Sequence, residues 1–103
     1  MTFDEFRASL AAGQEPPGPP LVRALWHDAR GNWDTAHRIA QDVPGADAAW
    51  VHAYLHRKEG DSGNAAYWYR RAGRTPTDGR LEDEWTALAR ALLNTSRDGS
   101  ASA

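Results

Sequence analysis

Two histidines four residues apart form the pattern in this chain that most suggests chemistry. His52 and His56 lie in the stretch "WVHAYLHRKEGDSGNAAYWYRRAG". Residues four apart share one face of a helix, and this spacing suits two ligands of one zinc ion. The glutamate found between such histidines in zinc proteases is missing, so the pattern offers no general base. A complete site needs further ligands, and the candidates are His27, His37, Asp28 and Asp34. These side chains reach His52 and His56 only if the first pair of helices folds over the second pair.

A tyrosine, a tryptophan and a second tyrosine precede two arginines in the same stretch. Trp68 and Tyr69, with alanines one turn to either side, form an apolar stripe typical of a helix that faces a core. Tyr67 points away from this stripe and is flanked by Arg70 and Arg71, which can bind a carboxylate or form a protein interface. The alternative is a solvated face with Tyr67 lying across the arginine stems. The predicted partner-binding residues are Tyr67, Arg70, Arg71, Arg57 and Trp50.

Basic residues gather at this end of an otherwise acidic chain. They are Arg57, Lys58, Arg70, Arg71 and Arg74. The acidic start of the last helix, at residues 82–84, is a candidate to meet them within the fold, which would make these charges structural. If the patch is free, its expected partner is a protein or acidic peptide, with an anionic small molecule as the alternative.

The composition predicts one soluble domain with a modest core. The chain has 103 residues, of which 41% are hydrophobic. Its net charge of −2 gives no basic field for nucleic acid, and the lack of cysteine excludes disulfides and thiolate chemistry. No apolar run approaches the roughly 20 residues that span a bilayer, and acids stand where a signal peptide has basic residues. We therefore predict a cytoplasmic protein that binds neither nucleic acid nor membrane.

The secondary-structure elements that position these residues are predicted to be helices, because apolar residues recur at helical spacing along the chain. Thr2 and Glu5 have the form of a capping box, so residues 1–10 are expected to contain a short helix that either docks on the body or hangs free. Residues 11–20, "AAGQEPPGPP", carry four prolines and two glycines and are predicted to form a tether. Residues 21–94 form the predicted helical domain, and residues 95–103 a disordered tail. The predicted class is all-α.

An internal repeat organises the middle of the chain. The dipeptides Gly31-Asn32 and Gly60-Asp61 are 29 residues apart, and each separates two helical patterns. Asn32 is predicted to cap the helix after the first bend, and Asp61 or Ser62 the helix after the second. The segment "EGDSGNAAYWYRRAG" resembles the second half of a Sel1-like or tetratricopeptide repeat, matching the pattern A-x-x-W-Y-x-x-A. The whole chain is also similar to a group of small bacterial proteins of uncharacterised function. The resemblance implies two tandem antiparallel helix pairs with a short N-terminal helix and a C-terminal capping helix.

The resemblance also bears on the histidines and on function. If Gly60 is the turn glycine of a repeat, His52 and His56 take packing positions between helices, hydrogen-bonded to a carbonyl, a tyrosine or a carboxylate. Repeat folds of this kind offer groove surfaces, so we predict a non-enzymatic interaction or adaptor module without a cofactor, with self-association as one form of the interaction. The alternative is a metal- or small-molecule-binding protein that uses His52 and His56, with Tyr54 or Asn64 nearby.

Overall fold

The computed structural model describes the backbone of residues 1–102 and the side chains of residues 1–94. In this part of the chain all regular secondary structure is helical, which confirms the all-α class. The helices are α1 (Phe3–Ala12), α2 (Pro20–Ala29), α3 (Trp33–Gln41), α4 (Ala46–Lys58), α5 (Ser62–Ala72) and α6 (Leu81–Ser102). The predicted disordered tail at 95–103 falls on residues whose side chains lie outside the described part, and it stays a prediction. Within the described residues, every helix is too short or too polar to cross a bilayer.

Side chains fix the starts of two helices as the sequence predicted. Thr2 Oγ1 accepts a hydrogen bond from the Glu5 amide at 3.1 Å, and Glu5 Oε1 accepts one from the Thr2 amide at 2.7 Å. Asp61 Oδ1 accepts from the Asn64 amide at 3.1 Å and so caps α5. Asn32 takes the predicted N-cap position of α3, but its side chain makes no capping bond. Its φ of −102° and ψ of 65° are close to the −96° and 79° of Asp61, so the backbone conformation does not account for the difference.

Helices α2 to α5 pack in sequence order, each against the next. The most extensive contacts join α4 with α5 and α2 with α3, while α6 lies against both α2 and α4. Ala24, Ala36 and Ala53 are fully buried, which lets the helix backbones approach closely. Large side chains fill the rest of the core, notably Leu25 and Leu55. This packing holds α3 against α4 and thereby positions the residues of the candidate site.

The bends after α2 and α4 share one backbone motif. Gly31 and Gly60 have φ values of 84° and 89°, which a side chain would disfavour. Each glycine amide donates to the carbonyl three residues earlier, at 3.0 Å for Gly31 and 3.1 Å for Gly60. The next amide, of Asn32 or Asp61, donates to the carbonyl five residues earlier at 2.9 Å in both bends. The two bends are therefore closed by equivalent hydrogen bonds.

Helix α1 docks on the body, which settles a question that the sequence left open. Phe6 is fully buried, and its ring stacks on Trp85 of α6 with 5.7 Å between centroids. The Trp26 indole N–H donates to Ser9 Oγ at 3.2 Å, which joins α2 to α1. Burial of an aromatic ring of this size contributes roughly 2–3 kcal/mol, so docking is an integral part of the fold.

Candidate functional site

Three imidazoles converge where α3 meets α4. His37 comes from α3, and His52 and His56 come from successive turns of α4. The ring centroids of His37 lie 5.0 Å from His52 and 5.2 Å from His56, and the latter two are 6.0 Å apart. One possible ligand atom from each residue lies within 4.8 Å of those of the other two. The first helix pair therefore supplies one histidine to the pair that the sequence singled out.

Two tryptophans enclose this imidazole cluster. The Trp33 ring stacks on His37 with 4.9 Å between centroids and meets His56 edge-on at 6.1 Å. The Trp68 ring stacks on His52 at 4.2 Å. The Trp33 indole N–H donates to the Leu55 carbonyl at 2.8 Å, which fixes that ring in place. His52 and His56 are only 4% and 7% exposed, so the imidazoles lie in a largely apolar, aromatic surrounding.

This surrounding favours neutral imidazoles. Burial lowers the pKa of His52 to about 4, and the neighbouring rings of His37 and His56 add to the effect. Burial, followed by the proximity of His56, also lowers the pKa of His37. Both rings are therefore uncharged at neutral pH and keep a nitrogen lone pair that can bind a cation.

The hydrogen-bond partners of α4's two histidines differ. His56 Nδ1 lies 2.7 Å from Glu59 Oε1, so an Nδ1 proton is donated to this carboxylate and Nε2 remains available. His52 Nδ1 is buried, and the described residues offer it no hydrogen-bond partner. Buried polar atoms are rarely left unpaired in native proteins. The spacing of the histidines alone indicated neither the Glu59 contact nor this unpaired nitrogen.

The other proposed ligands are placed elsewhere. His27 Nε2 pairs with Glu15 of the tether at 2.6 Å. Asp28 is 2% exposed and accepts hydrogen bonds from the Tyr54 hydroxyl and the Lys58 ammonium, both at 2.9 Å. Asp34 and Asn64 lie on exposed parts of their helices. Of the four further ligands considered from the sequence, the structure thus adds His37 to the pair.

A basic and aromatic face lies on the outer side of α5. Tyr67 is 43% exposed, and the Arg71 guanidinium donates to its hydroxyl at 3.2 Å. The same guanidinium lies over the rings of Tyr67 and Trp68, 5.7 and 5.4 Å from their centroids. Among the described residues, no carboxylate pairs with Arg70 or Arg71. These three predicted partner-binding residues therefore share one face with unpaired positive charge.

The other two predicted partner-binding residues serve the fold. Arg57 donates to Glu84 Oε1 at 2.8 Å, and the Trp50 indole N–H donates to Glu84 Oε2 at 3.1 Å. The Tyr69 hydroxyl donates to the same oxygen at 2.6 Å. Trp50 is 6% exposed, and the Arg74 guanidinium lies 3.4 Å from its ring centroid. The acidic start of α6 thus meets part of the basic cluster, as the sequence suggested, and Glu84 is the residue that does so.

A surface cavity of about 410 Å³ lies between the end of α3 and the outer side of α5. Trp68 and Arg71 line it on the α5 side, and Val43 and Pro44 line it on the other. His52 also contributes to its wall. The cavity therefore joins the basic face of α5 to the margin of the imidazole cluster.

Neither a protein-family model nor a curated protein nor a solved structure matches this chain. Function is accordingly inferred from the residues and contacts described above.

Proposed function

We propose that this protein is a non-enzymatic interaction module that binds an acidic protein segment on the outer face of α5. The observation that carries the proposal is the pairing of exposed Tyr67 with Arg71, whose guanidinium has no carboxylate partner among the described residues. A guanidinium held flat against an aromatic ring keeps donors free for a carboxylate. Arg70 adds a second positive charge beside it.

The adjacent cavity supports the same partner. Trp68 and Arg71 lie on its wall together with the apolar side chains of Val43 and Pro44. The exposed lining of the cavity is mainly polar, so a peptide can place a small or polar side chain there and its carboxylates on the arginines. Tyrosine, tryptophan and arginine are also the residues most enriched in the energetically dominant parts of protein interfaces.

The buried carboxylates support a non-enzymatic role. Asp28 is engaged by Tyr54 and Lys58, and Glu84 is engaged by three donors from α4 and α5. Carboxylates held in this way stabilise the fold, because protein donors already occupy their oxygens. The equivalent bends at Gly31 and Gly60 support an arrangement of two tandem helix pairs, in which outer faces serve as binding surfaces.

Affinity capture from the host, followed by variants, tests this function. The tagged protein is expected to retain one reproducible partner whose contact segment is acidic, and a synthetic peptide of that segment should bind in a fluorescence anisotropy titration. Arg71→Ala and Tyr67→Ala are each expected to weaken binding about tenfold or more. Arg7→Ala, which removes an exposed arginine on α1, is the matched control and should change affinity less than about twofold.

Two outcomes contradict the proposal. The first is a captured partner that binds the Arg71→Ala and Tyr67→Ala variants as tightly as the unchanged protein. The second is a capture list without a reproducible protein, combined with a monomer in sedimentation equilibrium. A dimer that dissociates on Arg71→Ala would instead show that the partner is a second copy of this chain.

A further inference from the structure

We propose that His37, His52 and His56 form a binding site for a single zinc ion, with Glu59 orienting the third ligand. The site adjoins the cavity beside the outer face of α5, which His52 helps to line, but it does not depend on the function proposed for that face. It would join the first helix pair to the second, because its ligands come from α3 and α4.

The positions of the rings fit a tetrahedral metal centre. Zinc binds an imidazole nitrogen at about 2.0–2.1 Å, which places the ring centre about 3.2 Å from the metal. Tetrahedral angles then separate the ring centres of two ligands by about 5.2 Å. The three separations here are 5.0, 5.2 and 6.0 Å. The ligand atoms lie within 4.8 Å of one another and need to approach to about 3.4 Å, a change that rotations of the imidazole rings can supply.

The hydrogen bonds of the cluster also fit a bound metal ion. Histidines that bind metals usually donate their other ring N–H to a carboxylate or carbonyl, which fixes the ring and its tautomer. The Nδ1 contact of His56 with Glu59 at 2.7 Å has this form and leaves Nε2 for the metal. The buried Nδ1 of His52 has no hydrogen-bond partner among the described residues, as is also true of Nδ1 of His27, but in His52 this nitrogen belongs to a ring that lies beside two further imidazoles.

The donor set selects the class of metal. Three imidazole nitrogens suit zinc, copper or nickel, whereas calcium and magnesium prefer oxygen ligands. Three protein ligands also leave one coordination position for water or another small ligand. His56, Glu59 and Asp61 form a second possible ligand group, but it uses the carboxylate that orients His56 and the side chain that caps α5. The group of three imidazoles therefore provides the better site.

Calorimetric titration of the metal-free protein with zinc chloride tests the proposal. One zinc ion per chain is expected, with micromolar or tighter affinity. His37→Ala should weaken binding about 100-fold or more, because it removes a ligand, and His37 is the least buried of the three rings. His27→Ala is the matched control, since His27 binds Glu15 outside the cluster, and it should alter affinity less than about twofold.

Two further measurements separate a metal site from a cluster of packed rings. Cobalt chloride should produce the intense visible absorption of tetrahedral cobalt, and Glu59→Gln should weaken zinc binding about 10- to 100-fold. In the unchanged protein, zinc should shift the ring nitrogen resonances of His37, His52 and His56 and leave those of His27 in place. This spectrum needs no variant, so it remains informative if His37→Ala fails to fold.

The proposal is overturned if zinc produces no saturable heat and no shifts in the imidazole resonances. It is equally overturned if His37→Ala, with its helical circular dichroism intact, binds zinc as tightly as the unchanged protein. That second result would place the ion on the group that contains Glu59 and Asp61. A failure of the zinc proposal does not contradict the partner-binding function proposed for α5. Partner capture by the His37→Ala variant tests that function in a separate measurement.

Discussion

The hydroxyl of Tyr54 on α4 donates a 2.9 Å hydrogen bond to Oδ2 of Asp28 on α2, with both residues only 2% exposed. The Lys58 ammonium occupies the other oxygen of the same carboxylate at 2.9 Å. A buried carboxylate is tolerated only when its hydrogen bonds and charge are satisfied, so this contact joins α2 to α4 by a polar link inside the core.

This link predicts a loss of stability at alkaline pH. Burial, and secondly Asp28, raise the pKa of Tyr54 far above its ordinary value near 10, and burial with the Glu84 hydrogen bond does the same for Tyr69. Because the folded-state pKa is the higher one, the contribution is complete below about pH 10 and declines as pH rises above it, by about 1.4 kcal/mol per pH unit for each tyrosine. Urea denaturation at several alkaline pH values measures this slope.

Tyr54→Phe provides the comparison for the alkaline experiment. The variant removes one of the two phenols that ionise only on unfolding, so its stability should fall less steeply above pH 10. Equal slopes for the two proteins would show that Tyr54 ionises in the folded state and would contradict its burial against Asp28.

Among the acidic residues of α6 whose side chains are described, Glu84 is expected to contribute most to the free energy of unfolding. Glu84→Ala leaves Arg57, Trp50 and Tyr69 without their shared acceptor, and removing one partner of a buried pair typically costs about 3–5 kcal/mol. We expect a loss near the lower figure, because the Arg57 side chain is 18% exposed and keeps some hydration. Chemical denaturation measures the change.

Glu82→Ala is the matched control for Glu84→Ala, on the same helix and with the same side chain removed. Glu82 is 70% exposed and pairs with exposed Arg80, so its removal should cost less than about 0.5 kcal/mol. Similar losses for the two variants would contradict the role of Glu84 as the shared acceptor.

Docking of α1 should depend on Phe6. Phe6→Ala removes a fully buried ring that stacks on Trp85, and the expected loss in the free energy of unfolding is about 3 kcal/mol. Hydrogen exchange of the α1 amides should accelerate in parallel, because the helix loses its main apolar anchor. Arg7→Ala, one residue further along and exposed, should leave both measurements nearly unchanged. Slow exchange in the Phe6→Ala variant would indicate that polar contacts alone hold α1.

The two glycine bends should respond alike to alanine. Gly31→Ala and Gly60→Ala each place a Cβ on a residue with positive φ, at a cost of about 1–2 kcal/mol, although the space around each Cβ is open. Gly63 lies within α5, and Gly63→Ala should stabilise the protein by about 0.5 kcal/mol. Thermal and urea unfolding measure all three. A difference of more than about 1 kcal/mol between the two bends would argue against their equivalence.

Local patterns in the sequence were sufficient to place the helices and several of their starts and bends, whereas α1 extends to Ala12 and α2 begins at Pro20, both within the predicted tether. The capping box at Thr2, the cap at Asp61 and the glycine bends depend on residues within five positions of each other, where backbone geometry dictates the contacts. The Asn32 side chain was the exception: it makes no capping bond, although its backbone conformation is close to that of Asp61, which does.

Only part of the candidate site could be predicted from the sequence. The spacing of His52 and His56 on one helix face is a property of the chain itself, as is the exposure of Tyr67 opposite an apolar stripe. His37 joins the pair only because α3 packs on α4 in one particular rotation about its axis. The small buried alanines permit this rotation, but it could not be predicted from them. In the same way, only the approach of α6 could show that Trp50 and Arg57 are held by Glu84. Periodicity along one helix determines which side chains share a face, whereas contacts between helices depend on how their packed surfaces fit, and this the tertiary structure alone decided.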